Sequence, residues 1–298
     1  MWVKGPDIKN NFSIKVIFLF ILLSVIYSCA SAPHTPLKKE PKIALVLGGG
    51  SAKGFAHIGV IRTLEQEKIP VHMIVGTSVG SLIGGIYASN PDSFQLEWIA
   101  FKIEKNDILD FSIIHSKLGP VQGTKLETFI EQTVKIKKVE DTKIPFYPIA
   151  TDLNTGETVI LEKGSLSKAI RASSAIPGIF APVTFGKRTL VDGGVTNNIA
   201  CDIARSKGAD IVIAINLIKD IKNYNIDSVI DIIAQTIIIM TNENSKTKLK
   251  QADILIEPDT GGVSIFDFTQ KKRLMEEGIR ATRLALPKIK DLISKNQQ

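Results

Sequence analysis

A serine flanked by glycines is the first feature of this sequence that could do chemistry. Residues 76–80 read Gly-Thr-Ser-Val-Gly. An apolar run, His72–Val75, precedes them, and apolar residues at helical spacing follow. A sharp strand-to-helix turn exposes a hydroxyl, and small neighbours let the strand and helix approach each other. The pattern predicts a nucleophile at Ser78, supported by Gly76 and Gly80; the alternative is a buried serine in a glycine-rich turn.

A serine nucleophile needs a base, and the histidines do not supply one in the usual order. No histidine follows His115, so a triad in the order Ser, acid, His is excluded. His57 follows the glycine run and is expected to pack or cap locally. An acid remains downstream at Asp192, where Gly193 and Gly194 follow a short apolar run. That carboxylate could take the serine proton directly, although the same three residues also fit an ordinary turn.

Three consecutive glycines, Gly48–Gly50, follow the apolar run Ile43–Leu47. A phosphate-binding P-loop is excluded, because Lys53 is followed by glycine and phenylalanine with no hydroxyl for magnesium. A dinucleotide fingerprint is excluded as well, because the glycines do not fall at the required offsets. The remaining interpretation is a loop whose backbone N–H groups stay open for an anionic oxygen.

Taken in this order, the glycine loop, the Gly-x-Ser-x-Gly turn and the Asp-Gly-Gly turn resemble the patatin-like phospholipases. Residues 151–183 resemble the central segment of that family, and Lys53 stands where it has Arg or Lys. The resemblance implies a Ser78–Asp192 dyad, and an oxyanion hole in the loop Gly48–Gly50 formed by the N–H groups of its second and third glycines. One departure is visible after the Asn-Asn pair, where Ile199 replaces a frequent proline.

The chain after residue 42 alternates short apolar runs with helical patterns, which predicts one α/β domain over residues 42–298. The resemblance implies a three-layer αβα fold with a central, mostly parallel sheet. Strand-length runs occur at Ile43–Leu47, His72–Val75, Ile144–Ala150, Thr158–Leu161, Thr189–Val191, Ile211–Asn216 and Ile254–Ile256.

The N-terminus has the pattern of an exported lipoprotein. Lysines precede a 12-residue apolar run, Val16–Tyr27, which is too short to span a bilayer. Residues 1–28 are interpreted as a signal peptide, Cys29 as the lipidated residue, and residues 29–41 as a tether. The expected location is a bacterial cell envelope, at the inner or outer membrane. The alternatives are an ordinary signal peptide or an uncleaved anchor, and Tyr27 is unusual for a lipobox.

The formal charge of +7 is spread along the chain, without a basic stripe carrying aromatics, so nucleic-acid binding is excluded. The expected function is hydrolysis of fatty-acyl esters of phospholipids or lysophospholipids, with no metal or organic cofactor; the oligomeric state stays open. The alternatives are an esterase or thioesterase acting on soluble acyl esters, or a lipid-binding lipoprotein without turnover. The apolar stretches 111–121 and 229–240 are expected to cover the sheet, although they could instead line an acyl channel.

Overall fold

The computed structural model describes residues 1–3, 40–108, 110, 119–218, 221, 226–261, 263–264 and 267–297. The chain divides into two compact units, Met1–Lys39 and Glu40–Gln298. Cys29, which is expected to be lipidated, nearly all of the expected signal peptide and most of the expected tether lie outside the described residues. The strands, helices and candidate site residues belong to the second unit.

In the described part of the chain, eight strands form one mixed sheet in the spatial order β5-β6-β3-β2-β1-β7-β8, with β4 also paired to β3. The pairs β1–β2, β1–β7, β2–β3 and β7–β8 are parallel, whereas β3–β4, β3–β6 and β5–β6 are antiparallel. The strands are β1 (Ile43–Leu47), β2 (Met73–Thr77), β3 (Phe146–Asp152), β4 (Thr158–Ile160), β5 (Val183–Phe185), β6 (Arg188–Asp192), β7 (Ile211–Ile215) and β8 (Ile254–Ile256).

Helices follow most of these strands. They are α1 (Phe55–Gln66), α2 (Val79–Ser89), α3 (Ser93–Lys102), α4 (Lys105–Ile108), α5 (Thr124–Thr133), α6 (Leu166–Ser173), α7 (Cys201–Ser206), α8 (Val229–Leu249) and α9 (Lys271–Asn296). Within the described part of the chain, no helix combines the length and the hydropathy that crossing a bilayer requires.

Both faces of the sheet are covered, which explains why its central strands are apolar throughout. Every residue of β1, β2 and β7 is buried. Alternate residues of β1 belong to two separate cores: Ile43, Leu45 and Leu47 pack with α1, α2 and α9, whereas Ala44 and Val46 pack with α7. The expected three-layer α/β architecture with a mostly parallel sheet is confirmed.

The topology brings the candidate site residues to one edge of the sheet. β1 and β2 are parallel neighbours, so the glycine loop after Leu47 and the serine after Thr77 leave the sheet at the same edge. The antiparallel strand β6 ends at Asp192, opposite Ala150 of β3. Three segments that are far apart in sequence therefore meet where the strands end.

Candidate active site

Ser78 occupies a strained turn between β2 and α2. Its backbone has φ 56° and ψ −124°, in the left-handed half of φ space that non-glycine residues rarely adopt. The Ser78 N–H donates to Ser173 Oγ at 3.1 Å, and that hydroxyl donates to the carbonyl of Ile149 at 2.6 Å. The turn is thus held from α6 and β3, as expected for a nucleophile elbow.

The two glycines beside the serine are required by close backbone approach. A Cβ on Gly80 would lie 2.1 Å from the carbonyl oxygen of Leu47, and one on Gly76 would lie 2.7 Å from the carbonyl oxygen of Gly80. Neither backbone oxygen can move without shifting β1 or α2. The motif therefore allows α2 to begin directly against the end of β1.

Asp192 is buried at the end of β6, with 4 % of its surface exposed. Its Oδ1 accepts a hydrogen bond from the Gly194 N–H at 2.7 Å, whereas Oδ2 accepts no hydrogen bond from the described residues. Burial raises the pKa of Asp192 to about 6, although contact with the Ser78 side chain and the Gly194 N–H acts in the opposite direction. The carboxylate is therefore a stronger base than an exposed aspartate and lies beside the serine.

The glycine loop is held by hydrogen bonds at its first two N–H groups. The Gly48 N–H donates to the carbonyl of Ile215 at 3.2 Å, and the Gly49 N–H donates to Asn198 Oδ1 at 2.9 Å. The Gly50 N–H has no partner among the described residues. Of the two N–H groups that the resemblance assigns to the oxyanion, that of Gly49 is engaged by Asn198 and that of Gly50 is open.

His57 fixes the same loop from α1. Its Nε2 lies 2.7 Å from the carbonyl oxygen of Gly48, which can only accept, so Nε2 carries the proton. Burial lowers the pKa of His57 to about 4, because the charged ring would be taken fully out of water. A neutral ring bound to the loop supports the expectation that His57 packs locally.

These two pKa values predict where activity is lost on acidification. A base must be deprotonated, so kcat/KM on a soluble ester should fall about tenfold per pH unit below about pH 6, the pKa of Asp192. If His57 were the base, the fall would begin near pH 4. The measurement is a pH–rate profile of the parent and of His57→Gln. The fall of kcat/KM on acidification should keep the same midpoint in the variant. A fall near pH 4 in the parent that disappears in His57→Gln would show that histidine is the base.

Ser78 lies where two pockets meet. The smaller, of about 530 Å³, holds the polar groups of the site and is lined by Gly49, Gly50, Ser51, Lys53, Ser78, Ile176, Asp192, Gly194, Asn198, Ile218, Ala234, Ile237, Ile238 and Thr241. The larger, of about 700 Å³, is mainly apolar; its apolar lining is Ala52, Phe55, Val79, Leu82, Ile83, Ile103, Ile108, Leu126, Ile176, Phe180 and Phe268. The smaller pocket is named the polar pocket after the polar groups that it holds, although isoleucine side chains form much of its wall. A nucleophile between this pocket and the apolar pocket suits an ester with a hydrocarbon arm.

Helix α8 forms part of the wall of the polar pocket. Ala234, Ile238 and Thr241 on its inner side are buried, and the Thr241 hydroxyl donates to the carbonyl of Gly194 at 3.1 Å. The stretch 229–240 therefore contributes to the wall of the site. Of the other stretch, 111–121, residues 111–118 lie outside the described part of the chain.

The remaining predicted supporting residues lie close to this centre. Lys53 is 97 % buried against the polar pocket, and a Cβ on Gly193 would lie 2.3 Å from the carbonyl oxygen of Ile149. Asn198 has a site contact that the sequence interpretation did not assign. Its only sequence signal is its place in the loop after the Asp-Gly-Gly turn, because a contact with Gly49, 149 residues earlier, cannot be read from spacing.

Comparison with known proteins identifies the family of this chain. The profile of the patatin-like phospholipase family, described as "Patatin-like phospholipase", matches residues 45–205, which is more than half of the 298-residue chain. The matched segment contains the glycine loop, Ser78 and Asp192. The chain belongs to the patatin-like phospholipase family.

Relatives by sequence align with 58 % to 60 % of the chain. It is 38 % identical over 180 residues to a patatin-like phospholipase domain-containing protein of Caenorhabditis elegans, covering 58 % of this chain and 13 % of that protein. It is 35 % identical over 181 residues to human patatin-like phospholipase domain-containing protein 6, covering 59 % of this chain and 13 % of that protein. An uncharacterized NTE family protein of Mycobacterium tuberculosis is 35 % identical over 180 residues, covering 60 % of this chain and 49 % of that protein. The chain thus spans less than two thirds of each of these relatives.

A solved structure shares the fold. VipD from Legionella pneumophila superposes with a TM-score of 0.56 at 13 % sequence identity, covering 87 % of this chain and 67 % of that one. At this identity the similarity concerns the fold alone. It supports the α/β architecture independently of the sequence motifs.

Proposed function

We propose that this protein hydrolyses fatty-acyl esters of phospholipids or lysophospholipids through Ser78 and Asp192. The observation that carries the proposal is the position of Ser78, on a strained turn beside a buried carboxylate and at the junction of a polar and an apolar pocket. Family membership supports a lipid hydrolase. Assignment of the dyad rests on the geometry of these two residues.

In the first step the Asp192 carboxylate accepts the hydroxyl proton of Ser78 as Oγ forms a bond to the ester carbonyl carbon. The carbonyl oxygen becomes anionic, and the open Gly50 N–H is placed to bind it. Collapse of this intermediate breaks the bond to the alcohol, which leaves with the proton from Asp192. The product of the step is an acyl-enzyme at Ser78.

In the second step Asp192 takes a proton from water, and the resulting hydroxide attacks the acyl carbonyl carbon. The second tetrahedral intermediate collapses, Ser78 recovers its proton from Asp192, and the fatty acid leaves. The raised pKa of Asp192 suits both steps, because a base with a pKa of about 6 is ionised at neutral pH and still accepts protons effectively.

The apolar pocket supports a long acyl chain as the substrate arm, since its lining offers hydrophobic contacts and few polar groups. Two helices carry exposed apolar faces. Phe94, Trp98 and Phe101 share one face of α3, and Ile103 after that helix lines the apolar pocket. The outer side of α8 exposes Val229, Ile232, Ile239 and Met240. Exposed apolar surface of this kind is typical of lipid-contacting proteins.

Membrane attachment through Cys29 is a further part of the proposal. The 12-residue apolar run and the cysteine that follows the small Ser28 support export and lipidation in a bacterial cell envelope. A lipid anchor would keep the enzyme at high effective concentration near its substrate. Metabolic labelling with a fatty acid, lost in Cys29→Ala, tests this part by itself.

The substrate class is tested by comparing phospholipid vesicles with a soluble short-chain ester. We expect Phe94→Ser and Trp98→Ser to lower hydrolysis of vesicle phospholipid about tenfold, because each removes an aromatic contact with the lipid surface. Turnover of the soluble ester should stay within about twofold of the parent, since neither side chain lines a pocket. Fatty-acid release measured by mass spectrometry reports both reactions.

The matched control is Leu284→Ser on α9, where the leucine is 73 % exposed and lines neither pocket. It should hydrolyse vesicles like the parent. A parent that cleaves only the soluble ester would favour the esterase alternative. A folded parent that cleaves no acyl ester would favour a lipid-binding protein without turnover.

A further inference from the structure

We infer that the side-chain amide of Asn198 is a catalytic hydrogen-bond donor, which binds the anionic oxygen together with the Gly50 N–H. The inference rests on the proposed function and adds a residue to its machinery. Asn198 belongs to the loop after β6, whereas Gly50 belongs to the loop after β1. The oxyanion hole would thus be shared between two segments.

The orientation of the Asn198 amide is fixed by its partner. The Gly49 N–H, which can only donate, lies 2.9 Å from the side-chain atom Oδ1. The opposite assignment would place an NH₂ group against an N–H group, so Oδ1 must face Gly49. The donor end of the amide, Nδ2, is therefore not engaged by the Gly49 N–H.

Nδ2 is a buried donor without an acceptor. The side chain is 3 % exposed, and Nδ2 has no hydrogen-bond partner among the described residues. Buried polar atoms are nearly always paired in native proteins, and an exception at a pocket indicates a partner that arrives with a ligand. Asn198 lines the polar pocket together with Ser78 and Gly50.

The carboxylate of Asp192 is the alternative acceptor inside the protein. A Cβ on Gly194 would lie 3.1 Å from Asp192 Oδ1 and 3.3 Å from Asn198 Oδ1, so the two side chains are near each other. Nevertheless Asp192 Oδ2 and Asn198 Nδ2 both lack a partner in the described part of the chain, so they are not bonded to each other. The acceptor that remains is the substrate oxygen, which gains its negative charge during the reaction.

The test measures kcat and KM for p-nitrophenyl butyrate with the full chain and three variants. Asn198→Asp keeps an acceptor for the Gly49 N–H and removes the donor, whereas Asn198→Ala removes both. We expect kcat to fall about 10²- to 10³-fold in both variants, the usual effect of losing one oxyanion donor. KM should change less than about threefold, because the contact forms mainly in the transition state.

The matched control is Asn197→Ala, which removes the neighbouring asparagine. Asn197 is equally buried, but its Nδ2 donates to Asp202 at 2.9 Å and it lines neither pocket. We expect its kcat to stay within about threefold of the parent. A loss as large as that of Asn198→Ala would overturn the inference, because it would show general damage to this loop.

Other outcomes would also overturn the inference. An Asn198→Asp enzyme with kcat within tenfold of the parent would show that Asn198 acts only by holding Gly49. If Asn198→Ala shifted the loss of activity on acidification to higher pH but kept the maximal rate, Nδ2 would be shown to donate to Asp192 instead of to the substrate oxygen. A parent without turnover of any acyl ester would overturn the proposed function and the inference with it, whereas an active parent with active variants overturns the inference alone.

Discussion

Ser78→Ala and Asp192→Asn are each expected to reduce ester hydrolysis by about 10⁴-fold or more, without loss of the fold. The first change removes the nucleophile, and the second removes the base while keeping its shape. The double variant should lose little more activity than either single variant, because the effects of two residues that act as a unit are not additive. Steady-state rates on one soluble ester, beside circular dichroism and thermal unfolding, measure the effect.

Two controls share the burial of these side chains but not their place in the site. Ser81→Ala changes a fully buried serine on α2, and Asp152→Asn changes a carboxylate on β3 that is as buried as Asp192. Neither residue lines a pocket of the site, so both variants should keep kcat within about threefold of the parent. Activity remaining in Asp192→Asn, or lost in Asp152→Asn, would contradict the proposed assignment of the base.

Gly49→Ala is the second change with a large expected effect. The new methyl group would lie 2.5 Å from Asn198 Oδ1 and 3.1 Å from the Cβ of Ser78. It would therefore push apart the amide and the loop while entering the space beside the nucleophile. We expect kcat to fall about 10²- to 10³-fold, the cost of a misplaced oxyanion hole.

Thermal unfolding distinguishes this local effect from a loss of structure. Gly49→Ala should unfold within a few degrees of the parent, because the atoms that it displaces lie at the edge of the site. Gly261→Ala is the control glycine, since the atom that its methyl group would meet is the exposed Asp259 Oδ1, at 3.1 Å. Unchanged kcat in Gly49→Ala would contradict the role of the loop.

Much of the fold could be predicted because its central strands are buried on both faces and read as continuous apolar runs. The runs Ile43–Leu47 and Ile254–Ile256 coincide with β1 and β8. The run predicted at Ile144–Ala150 begins earlier than β3, which covers Phe146–Asp152. Strand β5, Val183–Phe185, was not predicted; it has three residues, of which only Val183 is buried.

The site could be predicted only where it has a local pattern. The Gly-x-Ser-x-Gly and Asp-Gly-Gly turns indicated Ser78 and Asp192, although only the fold brings the two side chains together. The contact between Asn198 and Gly49 joins residues 149 positions apart, and the contact between Ser78 and Ser173 joins residues 95 apart. Neither spacing has a periodicity, so the contact of Asn198 with the Gly49 N–H, which the resemblance assigns to the oxyanion, could not be predicted.

The most direct test of the central claim is covalent labelling by a fluorophosphonate, in which an activated serine displaces fluoride from phosphorus. Peptide mass spectrometry of the parent should place a single phosphonyl group on Ser78, and Asp192→Asn should label at least about 10³-fold more slowly. A label on another residue, no label at all, or equal rates in the parent and Asp192→Asn would contradict a nucleophile at Ser78 that Asp192 activates.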